Sequence, residues 1–256
     1  MRVSETCRNG EPGEPGEPTV RAGGGLLDCA LYRRVEDGAV LGALVWDAGA
    51  GWRMLSSGVL GGGLGTRSFV VNAQVAHGYR RMDPADHLGE IAAAAGVRGA
   101  GVGLLTAAEV GEAGSGADGG VEAVATAGIG RPTWAAADPV LDEARLGVPG
   151  SAPEPGTINI VVAIPAALSD AALVNVATTV TEAKVQAVMS AGFACTGTAS
   201  DALCVAVRDP ARRRAPGPTA EFGGPRSYWG ARAARAVHAA VHQAARRYAA
   251  RATAGS

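Results

Sequence analysis

The stretch SDAALVNVATTVTEAKVQAVMSAG, residues 169–192, carries the longest helical pattern around which the chain can be organised. Ser169 is a favourable N-cap, and Gly192 is a favourable residue just beyond a helix C-terminus. The sequence therefore predicts one helix over residues 171–191. At about 100° per residue, its apolar side chains fall on one broad face, which is expected to point inward: Leu173, Val174, Ala177, Val180, Val185 and Val188.

Lys184 is expected near the middle of this inward face, and it is the only lysine among the 23 basic residues of the chain. Thr181 is expected beside it, whereas Glu182 and Thr179 fall on the polar side. An inward lysine must find a partner, extend to solvent or change its protonation. Since arginine serves as the cation everywhere else, the retained lysine suggests a chemical role. The alternative is a chance survivor that extends to solvent.

Composition limits the classes of partner. Hydrophobic residues make up 47% of the 256 residues, which is ample for a core, and aromatic residues only 4%. The formal net charge of −1, without a large basic patch, argues against nucleic acid and against an anionic membrane surface. No signal-like core and no long apolar stretch is found, so a cytoplasmic protein without a membrane segment is expected. Association into a homo-oligomer is left open.

The order of the patterns predicts the fold. The acidic repeat EPGEPGEP at residues 11–18 predicts a disordered N-terminal arm over residues 1–24, followed by one domain at 25–250 and a short tail at 251–256. Strand patterns come first and helices interleave later. This order predicts an α+β fold, a layered single domain with a mixed, antiparallel-rich sheet packed against helices. The first strands are expected at 27–35, 39–46 and 52–56, a loop at 111–120, and a later strand at 157–164.

Neither a cofactor nor a protein-bound metal is predicted. The four cysteines show no zinc spacing, and the glycine-rich loop at residues 61–65 lacks a phosphate-binding motif. His238 and His242 fit a solvated cationic helix face better than a metal site. His77 and His87 are lone histidines, which are more often structural. As a general base His77 is favoured of the two, because Asn72 and Tyr79 accompany it.

Small hydroxyl, amide and carboxylate side chains recur at the ends of predicted strands: Thr106, Thr126, Thr157, Asn159, Thr198 and Asp201. A cleft lined in this way offers many neutral hydrogen bonds and few charges. Such a lining suits a large ligand that bears amide groups better than it suits a phosphate or a metal ion.

An ordered set of motifs carries a family resemblance. In chain order the motifs are Ser56-Ser57 with Gly61-Gly62-Gly63, Asn72 with Tyr79, GLLTAA at 103–108, ATAG at 125–128, GTINI at 156–160, TEAK at 181–184, and Gly197-Thr198 with Asp201. Together they resemble the adenosylcobinamide amidohydrolase family of corrinoid salvage. The chain departs from the family pattern at Arg131-Pro132, where an asparagine is expected.

The resemblance implies hydrolysis of the amide that joins the aminopropanol arm to the corrin ring of adenosylcobinamide, giving adenosylcobyric acid. The partner is then a small-molecule corrinoid that brings its own cobalt. Two alternatives are a non-catalytic corrinoid-binding protein and an amide hydrolase of unrelated metabolism. The resemblance, together with polar chemistry, assigns nine residues to substrate binding: Ser56, Ser57, Gly62, Asn72, Thr126, Thr157, Asn159, Thr181 and Thr198.

Lys184 is expected to act on the reacting amide, as partner of the oxyanion or as acid for the leaving amine. Asp201 or Glu182 would activate water. Asp201 is favoured, because residues two apart on a helix do not share a face and Glu182 therefore points away from Lys184. A covalent route through Ser57 or Thr157 stays open.

Overall fold

The computed structural model describes residues 20–22, 25–137, 156–212 and 218–254. Within these residues the chain forms nine strands and three α-helices. The strands are β1 (Val20–Ala22), β2 (Cys29–Glu36), β3 (Ala39–Ser56), β4 (Gly63–Gln74), β5 (Gly101–Thr106), β6 (Gly114–Asp118), β7 (Val121–Gly128), β8 (Thr157–Ile164) and β9 (Ala202–Arg208). The helices are α1 (Pro84–Ala94), α2 (Asp170–Ser190) and α3 (Tyr228–Ala254).

The strands form one mixed sheet in the order β1-β2-β3-β9-β8-β7-β6, with β4 between β3 and β5. All pairs are antiparallel except β4 with β5 and β8 with β9. The long strand β3 joins two parts of the sheet, because its first half pairs with β2 and its last residues pair with β9. The α+β fold with an antiparallel-rich mixed sheet, expected from the sequence, is confirmed.

Strand β3 corrects one expectation. The sequence indicated two strands separated by a turn at residues 49–51, but the chain continues as one bent strand through this point. The register with β4 is irregular between Asp47 and Trp52, and Gly49 and Gly51 have positive φ angles of 66° and 96°. The glycines therefore absorb a bulge that redirects the strand.

Alternation of side chains along the strands divides the core into three parts and the domain into four layers. On β3, Leu44 and Trp46 point into a core between the two parts of the sheet, while Ala43 and Val45 face α1. On β8, Val161 and Ala163 point into the same inter-sheet core, and the intervening residues face α2 and α3. The four layers are therefore, in order, helix α1, one part of the sheet, the other part of the sheet, and the pair of helices α2 and α3.

The predicted loop at residues 111–120 contains a strand instead, because two of its glycines serve close packing. A Cβ atom on Gly114 or Gly116 would lie 2.1 or 2.2 Å from the carbonyl oxygens of Ala240 and Ala236 in α3. Glycine on β6 and alanine on α3 thus allow the helix to lie directly on the strand. The glycines that indicated a loop in the sequence are instead needed for the close packing of α3 on β6.

Helix α2 forms as expected, and the Ser169 side chain accepts a hydrogen bond from the amide of Ala172. Its buried face is rotated from the predicted one. Thr179, expected on the polar side, is buried and donates to the carbonyl oxygen of Gly223, whereas Val174 is 55% exposed. The reason is that α2 packs against α3 as well as the sheet, so that a broader face of the helix, including Ala183, is enclosed.

The predicted domain limits differ slightly from the elements seen. β1 pairs with β2 although Val20–Ala22 falls in the segment expected to be disordered, and α3 continues to Ala254, into the predicted tail. The rest of the predicted arm, residues 1–19 and 23–24, lies outside the described residues. Among the helices in the described ranges, none has the length and apolar character needed to span a membrane.

Candidate active site

A cleft of about 540 Å³ opens at one end of the inter-sheet core. Its walls come from segments that follow β3, β4 and β5 and from segments that precede or begin β8 and β9. Thr106 of β5 and Thr157 of β8 lie in its wall from opposite parts of the sheet. Of the strand-end residues marked in the sequence, Thr106, Thr157 and Asp201 line this cleft, whereas Thr126, Asn159 and Thr198 are not part of its lining.

Three buried polar side chains connect the two parts of the sheet near the cleft. Asn72 of β4 donates a hydrogen bond to Thr126 Oγ1 of β7 at 3.0 Å. Asn159 of β8 donates to Asn72 Oδ1 at 2.8 Å and to the carbonyl oxygen of Leu105 at 2.9 Å. Leu105 itself lines the cleft, while the three polar side chains are 5% exposed or less. They join the sheets close to the cleft, where the inter-sheet core changes from apolar to polar.

One acceptor in this network has no partner among the residues that the structure describes. Asn159 Oδ1 is buried and makes no hydrogen bond to the described residues. Leaving a buried carbonyl oxygen unsatisfied costs about 1–3 kcal/mol. The substrate-binding role of Asn159 stays a prediction, since this side chain is buried and is not part of the cleft lining.

Lys184 and Asp201 meet, as the sequence favoured. The Lys184 Nζ to Asp201 Oδ2 distance is 2.5 Å, and the two side chains are 12% and 13% exposed. Asp201 lies in the cleft wall, whereas Lys184 reaches Asp201 from α2 and is not part of the lining. The ammonium group therefore contacts a residue of the cleft wall without being part of that wall.

Asp201 has several further donors. Oδ1 accepts from the Ile158 amide at 3.0 Å and from the Thr198 hydroxyl at 2.5 Å, and both carboxylate oxygens lie 3.2 Å from the Thr198 amide. A carboxylate offers about four acceptor positions, and most are used here. This set of contacts fixes the loop before β9 and leaves little capacity to activate water.

Gly197 makes this arrangement possible. Its φ angle is 155°, and a Cβ atom there would lie 2.1 Å from Asp201 Oδ2 and 2.6 Å from Lys184 Nζ. Only glycine admits the two side chains so close to the backbone.

Hydroxyl groups form the wall next to Asp201. Thr157 Oγ1 and Ser200 Oγ are 2.7 Å apart, and Ser200 Oγ also lies 3.0 Å from the carbonyl oxygen of Gly156. Ser57 lines the same cleft and accepts from the amide of Leu203, whereas Ser56 is buried and donates to the Leu203 carbonyl oxygen. Of the two serines, only Ser57 is placed to meet a ligand directly.

Of the site residues assigned from the sequence, only Ser57, Thr157 and Asp201 line the cleft. Three of the others are exposed on the surface. Glu182 is exposed on α2, as the helical pattern indicated. Thr181 was expected on the inward face beside Lys184, but it is exposed and its hydroxyl donates to the carbonyl oxygen of Ala177. Gly62 is exposed in the turn between β3 and β4. The rotation of the buried face of α2 accounts for Thr181.

The sequence reasoning missed a set of polar contacts around His87. His77, the favoured histidine, is exposed, whereas His87 is buried. His87 Nδ1 lies 3.0 Å from the hydroxyl of Tyr79, which lines the cleft, and His87 Nε2 lies 3.2 Å from Glu36 Oε2. Burial raises the pKa of Tyr79 above its ordinary value, so the hydroxyl stays protonated at neutral pH. The sequence places Tyr79 shortly before the start of α1 and His87 near its beginning. This short separation was the signal from which the contact could have been predicted.

Within the described residues, no three side chains of histidine, cysteine, aspartate or glutamate cluster so as to hold a metal ion. His238 and His242 stack on α3 with ring centroids 5.9 Å apart.

Comparison with known proteins shows the family. No curated protein matches the chain. Among the solved structures that match the chain, two are similar at a low level. L-aminopeptidase D-Ala-esterase/amidase from Ochrobactrum anthropi is 16% identical, with 90% of this chain and 88% of that chain covered and a TM-score of 0.41. The PH0078 protein from Pyrococcus horikoshii OT3 is 13% identical, with 89% and 88% covered and a TM-score of 0.43. The family model described as adenosylcobinamide amidohydrolase matches residues 29–253, nearly the whole chain. The chain therefore belongs to the adenosylcobinamide amidohydrolase family.

Proposed function

We propose that the chain hydrolyses the amide between the aminopropanol arm and the corrin ring of adenosylcobinamide, releasing adenosylcobyric acid and aminopropanol. The observation that carries the proposal is the match of the family model over residues 29–253. The cleft supports it, because side chains with hydroxyl groups outnumber charged ones in its lining: Ser57, Tyr79, Thr106, Thr157 and Ser200 against Arg80 and Asp201. A polar lining with few charges suits a large substrate that bears several amides.

The proposed site of hydrolysis is the part of the cleft wall formed by Thr157, Ser200 and Asp201. Hydrolysis needs an attacking oxygen, stabilisation of the charge that develops on the amide oxygen, and a proton for the departing amine. Thr157 and Ser200 offer adjacent hydroxyl groups that hold or supply the attacking oxygen. Asp201 orients this segment through its contacts with Thr198.

Lys184 takes a modified role in this proposal. Because Lys184 contacts Asp201 and is not itself part of the cleft lining, its proposed action is through the carboxylate rather than on the substrate. It balances the charge of Asp201 and holds the carboxylate in one orientation. Lys184 is therefore a positioning residue.

The proposal is tested by incubating the purified protein with adenosylcobinamide and following products by chromatography and mass spectrometry. We expect adenosylcobyric acid and free aminopropanol. Thr157→Val, which removes the hydroxyl at nearly constant volume, is expected to lower kcat by about 100-fold or more, and Thr157→Ser to retain most activity. Tight binding of the corrinoid without products would instead support the non-catalytic binding protein. Turnover of simple amides with no action on corrinoids would support an amide hydrolase of unrelated metabolism.

A further inference from the structure

Tyr79, His87 and Glu36 form a continuous chain of polar contacts that starts at the cleft. Tyr79 follows β4 and lines the cleft, His87 lies on α1, and Glu36 ends β2. The Tyr79 hydroxyl is 3.0 Å from His87 Nδ1, and His87 Nε2 is 3.2 Å from Glu36 Oε2. The side chain of His87 is only 5% exposed, so its one route to a ligand is through Tyr79.

The chemistry of the three groups sets the direction of the hydrogen bonds. A carboxylate only accepts, so His87 Nε2 carries the proton that faces Glu36. In the neutral imidazole Nδ1 is then an acceptor, and Tyr79 donates its hydroxyl proton to it. A carboxylate, an imidazole and a hydroxyl in this order form an arrangement that moves a proton to and from the hydroxyl group.

Glu36 is itself held in place. Arg34 Nη2 lies 2.9 Å from Glu36 Oε2, and the same guanidinium donates to the carbonyl oxygens of Gly42 and Gln74. The other charged groups near His87, which are Arg81, Asp83 and Glu90, form their own exposed ion pairs. The imidazole is thus oriented by one anchored carboxylate.

We propose that Tyr79 is a catalytic proton-transfer residue of this cleft and that His87 and Glu36 are its positioning residues. The inference rests on the proposed amide hydrolysis. As the attacking oxygen adds to the amide carbon, its proton passes to Tyr79 Oη while the Tyr79 proton passes to His87 Nδ1. As the carbon–nitrogen bond breaks, the transfer reverses and the amine nitrogen receives the proton. No proton or electron is gained or lost by the protein over the cycle.

The test compares Tyr79→Phe with the wild-type protein on two substrates. One is adenosylcobinamide, and the other is its analogue with a fluorinated aminopropanol arm, whose amine is less basic and needs less protonation to depart. We expect Tyr79→Phe to lower kcat on adenosylcobinamide by about 100-fold or more with little change in KM. The loss should be at least about tenfold smaller on the fluorinated analogue.

Two further variants keep the test informative. Tyr32→Phe removes a tyrosine hydroxyl that is not in the cleft lining and is expected to leave kcat unchanged. His87→Gln is expected to lower kcat by about tenfold or more, with a smaller effect when it is combined with Tyr79→Phe. A thermal unfolding curve for each variant separates loss of folding from loss of proton transfer.

The outcomes distinguish the inference from the proposed function. An active wild-type protein with Tyr79→Phe within about threefold in kcat overturns the inference alone. An equal loss on both substrates, or a loss expressed only in KM, also overturns it, because proton transfer to the amine is then not affected. A folded wild-type protein without action on adenosylcobinamide overturns both.

Discussion

Replacing Lys184 by methionine removes the ammonium group that contacts Asp201 while keeping most of the side-chain volume. Both side chains are almost enclosed, at 12% and 13% exposure, so solvent replaces the lost contact poorly. Asp201 retains donors from Ile158 and Thr198, so the loss is one charged hydrogen bond rather than the whole environment of the carboxylate. Such a bond contributes about 1.5–3 kcal/mol. We therefore expect unfolding to be easier by about 2 kcal/mol, which corresponds to a melting temperature lower by about 4–8 °C for a chain of this size.

The assay combines thermal unfolding with turnover of adenosylcobinamide. Lys184→Met is expected to lower kcat by about tenfold or more, because the Asp201 carboxylate loses its fixed orientation. Lys184→Arg, the matched control, keeps the charge and should recover part of the stability. The planar guanidinium group of arginine does not reproduce the single short contact between Lys184 Nζ and Asp201, so activity is recovered only in part.

A double variant isolates the pair. Lys184→Met combined with Asp201→Asn should be less damaging than the sum of the two single changes, by about 1 kcal/mol or more. A Lys184→Met protein that melts within about 1 °C of the wild type and keeps its turnover would refute the reasoning, since the ion pair would then contribute neither stability nor geometry.

Four further predictions concern the rest of the molecule. Glu182→Gln on the exposed face of α2 should leave kcat unchanged and should change the unfolding free energy by no more than about 0.5 kcal/mol. A loss of turnover in this variant would show that Glu182 takes part in the reaction. Gly197→Ala should lower the melting temperature and turnover together, because its Cβ atom would collide with the ion pair; a crystal structure of the variant with the pair intact would contradict this. Burial raises the pKa of the Cys29 and Cys204 thiols to about 12, so in a Cys7→Ser background neither should react with a thiol reagent at about pH 8 until the protein unfolds. For the same reason the unfolding free energy should fall as pH rises above 9, since the unfolded thiols ionise while the folded ones do not, and a flat pH dependence in that range would count against the raised pKa values.

The sequence predicted the fold class because local patterns agree with the final packing in most elements. Strand β8 was expected at Thr157–Ile164 and is found there, since a run of apolar residues buried on both faces has a clear start at Thr157. The pairing of Lys184 with Asp201 was also predictable, because a lone lysine near the buried face of a helix needs an acceptor. Glycine was the main source of error. In β3 and β6 it marks a bulge and a close approach of a helix, and neither can be distinguished from a turn by local sequence.

The rest of the site depends on long-range contacts. The rotation of the buried face of α2, which turns Thr181 outward, is set by packing against α3, and a single-helix pattern does not contain this information. The choice between His77 and His87 depends on Glu36, which is distant in sequence and comes near only through the pairing of β2 with β3. Periodicity along one segment carries no signal of such contacts.

The most direct test of the account is hydrolysis of adenosylcobinamide in water enriched with heavy oxygen. The account predicts adenosylcobyric acid with one heavy oxygen atom in its new carboxyl group, together with unlabelled aminopropanol. Recovery of intact adenosylcobinamide from a folded, corrinoid-bound protein would contradict the claim that this cleft cleaves the amide.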